Sequence, residues 1–294
     1  MIYAKRVDTK KCLPYSLNIT MTPHFAIIGN PVEHSKSPQI HAAFAAQTGI
    51  TLRYEHLLAP LDGFHATVEK FRAQGGRGAN ITLPFKLEAY AFATQVSDRA
   101  RAAGAVNTLQ FDAAKVFGDN TDGAGLVGDL RTNLHCAISG KRVLIVGAGG
   151  AARGAIGPLL AERPGDLAIT NRTLSRAQEI ALHFKQAGGL RVLALADLPG
   201  HQFDIIINAS AASLENSLPL LPRGAFAAGS LAYDMMYGRG LTPFLALAQQ
   251  SGARLADGLG MLVEQAAESF LIWHGVRPLT GTVLSQLRQS FPLN

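Results

Sequence analysis

Cysteine is nearly absent: the chain of 294 residues has only Cys12 and Cys136. Two cysteines without ligand spacing give neither a disulfide framework nor a zinc site, and the expected setting is reducing and cytoplasmic. No His, Cys and Asp cluster has metal-ligand spacing either, so no metal is implied. Long apolar runs are missing too. None approaches the ~20 uncharged residues of a membrane span, so no membrane partner is expected. A basic stripe is also lacking. Of the net charge of +6, half falls in residues 1–22, where Lys5, Arg6, Lys10 and Lys11 stand against Asp8. The rest is scattered, without the interleaved aromatics of a nucleic-acid surface, and suits anionic small molecules equally well. Those first 22 residues hold no apolar stretch of the secretory kind. With Met21 just ahead of the first clear strand, they are expected to be a disordered tail or an upstream start.

What is present is a globular composition, 48% hydrophobic with 30 glycines, and neither repeats nor low-complexity tracts. The length suits one large domain or two medium ones. Short apolar strands are predicted at 24–29, 52–58, 78–83, 106–110, 142–146, 167–170, 191–193, 204–208 and 230–234. Helical patterns lie between them at 38–48, 63–74, 123–133, 151–161 and 174–186, and two more close the chain at 261–274 and 282–289. Such alternation predicts an α/β protein with parallel sheets covered by helices. A glycine-rich nucleotide signature begins only at Gly147, so about 120 residues form a separate unit ahead of it. Turn-rich stretches at 119–123 and 257–260 are candidate hinges. The predicted organisation is a substrate domain of residues 23–122 and 258–294 with a mostly parallel sheet. A Rossmann-type dinucleotide-binding domain of residues 123–257 is inserted in it.

The cofactor signal is a strand, a glycine turn and a helix start in order: residues 141–154 read KRVLIVGAGGAARG. Gly147 allows the tight turn, Gly149 a close backbone approach to a pyrophosphate, and Ala152 close helix–strand packing. The helix N-terminus presents free N–H groups to phosphates. About 24 residues on, where a free ribose 2′-hydroxyl would favour an acidic side chain, the chain has Asn171, Arg172, Thr173 and Arg176. Two arginines suit a 2′-phosphate, which guanidinium grips through parallel hydrogen bonds. NADP(H) is therefore expected over NAD(H).

The stretch GANITLPFK at 78–86 puts Asn80 and Thr82 on one face of a strand that Pro84 ends, with Lys86 close behind. Ser35 and Ser37 flank the N-terminus of a helix with Pro38 in its first turn, where they could cap the helix or hold a carboxylate. The 119–123 segment, DNTDG, reads alone as a turn and cap; beside Lys86, its Asp122 could hold an amine that delivers a proton to a carbonyl under reduction.

The set AIIGNPVEHSKSPQIH, GANITLPFK, AGAVNT, GDNTDG, GAGGAARG, NRTLSR, YDMMYGRGLTPFL and DGLGMLVEQAA resembles the shikimate dehydrogenase family, in its motif order, over residues 25–291. The resemblance implies reversible NADPH-dependent reduction of 3-dehydroshikimate to shikimate in the pathway to aromatic amino acids, by a monomer or homodimer. It implies Lys86 as catalytic acid/base with Asp122 as its partner. Ser35 and Ser37 would bind the substrate carboxylate with Tyr237 near it, and Asn80, Thr82, Asn107, Asp122 and Gln265 the ring hydroxyls. Gly147, Ala148, Gly149, Gly150 and Ala151 would meet the pyrophosphate, and Asn171, Arg172, Thr173 and Arg176 the adenosine phosphate. Met235 and Gly258 would fall near the nicotinamide, with Asp98 a further cofactor contact. The chain departs from the pattern at 208–213, NASAAS, where the family usually has Asn-Ala-Thr-Ser-x-Gly, which bears on cofactor affinity; Ala42-Ala43 also replaces the Asn that often follows His41. Two alternatives stay open: a quinate/shikimate dehydrogenase, and a non-catalytic NADP- or shikimate-binding regulator, whose expected mark is a lost Lys or Asp.

Overall fold

The computed structural model describes residues 22–185, 188–210 and 221–293. Two six-stranded sheets organise them. The first uses β1 (His24–Gly29), β2 (Arg53–Leu58), β3 (Gly76–Ile81), β4 (Gln95–Val96), β5 (Thr108–Phe111) and β6 (Val116–Asp119), in the order β2-β1-β3-β5-β6-β4. β1 runs parallel to both β2 and β3, and β4 to β6, while β5 is antiparallel to its two neighbours. The second contains β7 (Arg142–Val146), β8 (Asp166–Thr170), β9 (Leu190–Val192), β10 (Phe203–Asn208), β11 (Phe226–Asp234) and β12 (Arg254–Asp257). All five of its pairings are parallel, in the order β12-β11-β10-β7-β8-β9. That is the doubly wound nucleotide-binding order, whose strand order reverses between β7 and β10.

The helices follow from apolar faces. In the first half lie α1 (Ser37–Thr48), α2 (Phe64–Ala73), α3 (Lys86–Phe92) and α4 (Asp98–Ala103). α5 (Asp122–Gly128) opens the link to the second sheet and continues through a π-helical turn, Asp129–Asn133. α6 (Gly150–Ala161), α7 (Leu174–His183) and α8 (Pro243–Gln250) cover the second sheet. The chain ends in α9 (Leu259–His274) and α10 (Gly281–Ser290). α9 and α10 return to the first half, where Val263, Phe270, Val283 and Leu287 share a core with Ile40 and Phe44 of α1. Separate cores back the second sheet: Val143, Ile145 and Ile156 lie in one, Leu144, Phe203 and Phe244 in another.

β3 ends at Ile81, two residues short of the predicted boundary. Beyond it, the Phe85 amide closes a turn on the Thr82 carbonyl at 3.1 Å, so Thr82 lies outside the strand and Lys86 opens α3. β4, β6, β12, α3, α4 and α8 were absent from the sequence prediction. The expectation for residues 1–22 falls almost wholly outside the described residues, as does the second half of the 208–213 stretch.

Candidate active site

Lys86 and Asp122 occupy the first turns of two different helices, α3 and α5. The lysine Nζ donates to Asp122 Oδ2 at 2.6 Å, and their side chains remain 29% and 14% exposed. The pair is shielded yet reachable, as a proton-transfer group must be. The other carboxylate oxygen, Oδ1, accepts from Asn107 Nδ2 at 2.8 Å. Asp122 is therefore held from two sides, which fixes the direction in which the ammonium approaches.

Behind this pair lies a buried polar network. Asn107 Oδ1 accepts from the Thr121 amide at 2.8 Å and the Thr108 hydroxyl at 3.0 Å. Gln265, on α9, approaches Asn107 Nδ2 at 3.3 Å and anchors its own Nε2 on the Leu262 carbonyl. Asn80 donates through Nδ2 to Ser269 Oγ at 2.8 Å and Thr108 Oγ1 at 3.2 Å, and its Oδ1 accepts from the Tyr54 hydroxyl at 2.7 Å. The Asn80 amide is thus committed within the protein, whereas Thr82 is part-exposed at the strand end. Tyr54, Thr108, Thr121 and Ser269 escaped the sequence reading. Only the parallel register of β2, β1 and β3 brings Tyr54 of β2 onto the face of Asn80, two strands away.

Ser35 and Ser37 sit together, hydroxyl to hydroxyl at 3.2 Å, and His56 bonds the Ser35 carbonyl at 2.9 Å. Tyr237, after β11, lies against Phe291 with centroids 6.2 Å apart, and burial raises its phenol above the ordinary range.

The nucleotide end has its own geometry. Gly147 follows β7 with φ +114°, and a Cβ there would fall 2.9 Å from Ala209 backbone, so the two switch-point strands meet where only glycine fits. Gly149 is the N-cap of α6, and Gly150 and Ala151 begin its first turn beside Ala148. Residues of these types leave room for a pyrophosphate at a positive helix end. Asn171 Nδ2 bonds the Thr173 carbonyl at 2.9 Å, shaping the turn into α7 from which Arg172 and Arg176 extend. Among the described residues neither arginine is ion-paired, which leaves both free to meet phosphate. Ser210 donates to Asn208 Oδ1 at 2.7 Å, so a serine at this position keeps a hydroxyl hydrogen-bonded beside the switch point. Met235 and Gly258 are adjacent: the Gly258 amide bonds the Met236 carbonyl at 2.9 Å, and a Cβ on Gly258 would meet the Met235 carbonyl at 2.2 Å. Asp98 is fully exposed at the start of α4 and paired with Arg101 at 2.6 Å.

The halves are joined at α5. Gly123 packs so closely on α6 that a Cβ would fall 2.2 Å from the Gly154 carbonyl. Farther along, the Tyr233 hydroxyl donates to Asp129 Oδ2 at 2.6 Å, and burial raises the Asp129 carboxyl above its ordinary range. A hollow of about 710 Å³ lined by His24, Arg53, Arg72 and Arg77 opens at the opposite, N-terminal ends of β1 to β3. Ligands of open α/β sheets bind at carboxyl ends, so that hollow is not the site. Among the described residues no group of three metal-ligating side chains occurs, and no helix is long and apolar enough to cross a membrane.

A parallel sheet of nucleotide-binding order, set beside a Lys–Asp pair on a second α/β lobe, defines the class of two-lobed dehydrogenases. Comparison with known proteins narrows it. Three family descriptions match: "Shikimate dehydrogenase substrate binding domain" over 27–109, "Shikimate / quinate 5-dehydrogenase" over 130–221, and "Shikimate 5'-dehydrogenase C-terminal domain" over 258–288. The chain is 58% identical over 271 residues to a "Shikimate dehydrogenase (NADP(+))" of Nitrosospira multiformis, covering 92% of this chain and 98% of that protein. Among solved structures it is similar to an Ael1 enzyme from Pseudomonas putida, with TM-score 0.88, 46% identity, and coverage of 93% and 100%. It also resembles the Thermus thermophilus shikimate 5-dehydrogenase solved with NADP(H) and shikimate, with TM-score 0.82, 32% identity, and coverage of 92% and 100%. The chain belongs to the shikimate dehydrogenase family.

Proposed function

We propose that this chain is an NADP-dependent shikimate dehydrogenase that interconverts 3-dehydroshikimate and shikimate in aromatic amino acid biosynthesis. The observation that carries this reading is the 2.6 Å contact of Lys86 Nζ with Asp122 Oδ2, in a family whose relatives are named for the activity. Bound NADP(H) supplies or accepts the hydride. Lys86 takes the hydroxyl proton as the alcohol is oxidised and returns it to the carbonyl oxygen in the reverse direction. Asp122 holds that amine in place opposite the oxygen on which negative charge grows. Asn107 orients Asp122, and Asn107, Asp122, Thr82 and Gln265 meet ring hydroxyls. Asn80, whose amide is already committed, shapes the wall behind them.

Ser35 and Ser37 bind the substrate carboxylate at the N-terminus of α1, and Tyr237 approaches it from the other lobe. Residues 147–151 take the pyrophosphate, and Asn171, Arg172, Thr173 and Arg176 the adenosine 2′-phosphate. Met235 and Gly258 lie near the nicotinamide. Asp98, at the start of α4, is a further cofactor contact. Residues 23–122 with 258–294 form the substrate lobe and 123–257 the cofactor lobe, in keeping with the two sheets. All of these residues come from one chain, so a monomer or a homodimer would serve, and the reaction belongs in the cytoplasm.

A spectrophotometric assay that crosses shikimate and quinate with NADP⁺ and NAD⁺ tests the reading. Shikimate with NADP⁺ should react fastest. Equal rates with quinate would make the chain a broader quinate/shikimate dehydrogenase, and no reduction with any pair would sink the assignment.

A further inference from the structure

The end of the chain lies across the two lobes. The apolar face of α10, Val283 and Leu287, is buried in the first lobe with Ile40 and Val263. Its polar face grips the second: Arg288 forks onto Asp257, the last residue of β12, at 2.7 and 2.9 Å. Two parallel bonds fix a direction as well as a distance. The same guanidinium donates to the Phe291 carbonyl at 3.3 Å, which pins the turn after the helix, and Pro292 forbids another helical residue. Leu293 then packs against the core of the second sheet.

Phe291 is what this arrangement delivers. The Lys36 ammonium stands over one face of its ring, 5.4 Å from the centroid. Tyr237 meets the ring edge-on at 88°, and Phe291 Cδ1 lies 3.2 Å from where a Cβ on Gly238 would stand. Lys36 is the residue between Ser35 and Ser37. One aromatic ring therefore touches both the serine loop of the first lobe and the Tyr237 loop of the second. A lysine over an aromatic face loses freedom it would keep in water, and a tyrosine packed edge-on is held in one rotamer.

We infer that Phe291 is a positioning residue of the carboxylate pocket: it sets Tyr237 and Lys36 so that groups from both lobes converge on one carboxylate. This rests on the assignment of Ser35, Ser37 and Tyr237 under the proposed function. Phe291 acts through those residues and touches no reacting atom. Its loss should therefore weaken substrate binding and leave the chemical step nearly intact.

The test is steady-state kinetics of the full chain with shikimate and NADP⁺. Phe291→Ala should raise KM for shikimate about ten-fold, with kcat within about three-fold and KM for NADP⁺ unchanged. Phe291→Tyr, which keeps the ring, should restore KM. Phe291→Leu keeps apolar bulk without a π face; it guards against misfolding of the alanine variant and should still raise KM. Combined with Tyr237→Phe, the alanine change should add less than its separate factor, because both act at one contact. A wild-type KM in Phe291→Leu, fully multiplicative effects in the double variant, or equal rises in both KM values would each overturn the inference. A wild-type chain that does not oxidise shikimate would remove the functional reading and this inference together; an active wild type with an unmoved Phe291→Ala KM removes this one alone.

Discussion

His41 offers a test of how the substrate lobe responds to acid. Its side chain, on α1, is completely buried. The ring stacks on Tyr54 with centroids 4.4 Å apart and 9° between planes, and leans on Trp273 at 5.2 Å. Among the described residues neither ring nitrogen has a hydrogen-bond partner. Burial holds the pKa at about 3 against an ordinary 6.5, nearby Asn80 offsets only part of that, and the charge of His274 adds to the lowering. Between those two values the folded ring stays neutral while the unfolded chain binds a proton. Stability must therefore fall as pH drops below 6.5, with a limiting slope of about 1.4 kcal/mol per pH unit. From pH 6.5 to 4.5 this removes about 2 kcal/mol, a substantial share of an ordinary domain stability of roughly 5–15 kcal/mol. Asp129 works with the opposite sign, because its raised carboxyl pKa favours the folded state as acid is added. The His41 contribution is isolated by difference. Urea unfolding across this pH range should give flatter stability curves for both His41→Phe and His41→Asn than for the wild type, whatever their absolute stabilities. Parallel curves for all three proteins would refute the claim that a neutral imidazole is trapped in the fold.

Two further outcomes test the reaction. Lys86→Met should lower kcat by roughly 10²–10⁴-fold and leave KM for shikimate within a few-fold, since Asp122 keeps its Asn107 bond; shikimate-dependent NADP⁺ reduction at an undiminished rate would show that the proton goes elsewhere. Arg172→Ala should raise KM for NADP⁺ by about ten-fold or more and barely move that for NAD⁺, because charge-assisted bonds to a 2′-phosphate exist only with the former; equal effects on both cofactors would rule out that contact.

The cofactor lobe was legible because its demands fall on backbone. A turn that must take φ +114° at Gly147 writes itself into the sequence as glycine, and an alternation of short strands and helices specifies the sheet around it. The Lys86 and Asp122 pair was legible as one reading among several and was singled out through the family's motifs, since a lysine after Pro84 and an aspartate in a turn each have ordinary uses. The supporting network was not legible at all. Tyr54, Thr108 and Ser269 are common residues that become partners of Asn80 through strand register and the return of α9, neither of which leaves a local mark. α3 was hidden behind Pro84, and β4 is two residues long. α8 is a different case. Thr242 caps it by accepting from the Leu245 amide, and Pro243 follows at the first helical position, a start signal that was present in the sequence and overlooked.

The same structure explains how a partly exposed ion pair can be held as fixed as the proposed function requires. A lone Lys–Asp contact with 29% and 14% exposure would gain little from its Coulomb attraction and could wander. Here the aspartate is located by other means. Asn107 holds its Oδ1, the Asn120 side chain accepts from its amide at 3.2 Å, and the next residue, Gly123, rests against the Gly154 carbonyl of α6. α6 is the helix whose N-terminus faces the phosphates under the proposed function. The segment that carries Asp122 and α6 therefore share a backbone contact, so distance between them is set by packing, which is stiff. The weak ion pair has only to choose which way the lysine points.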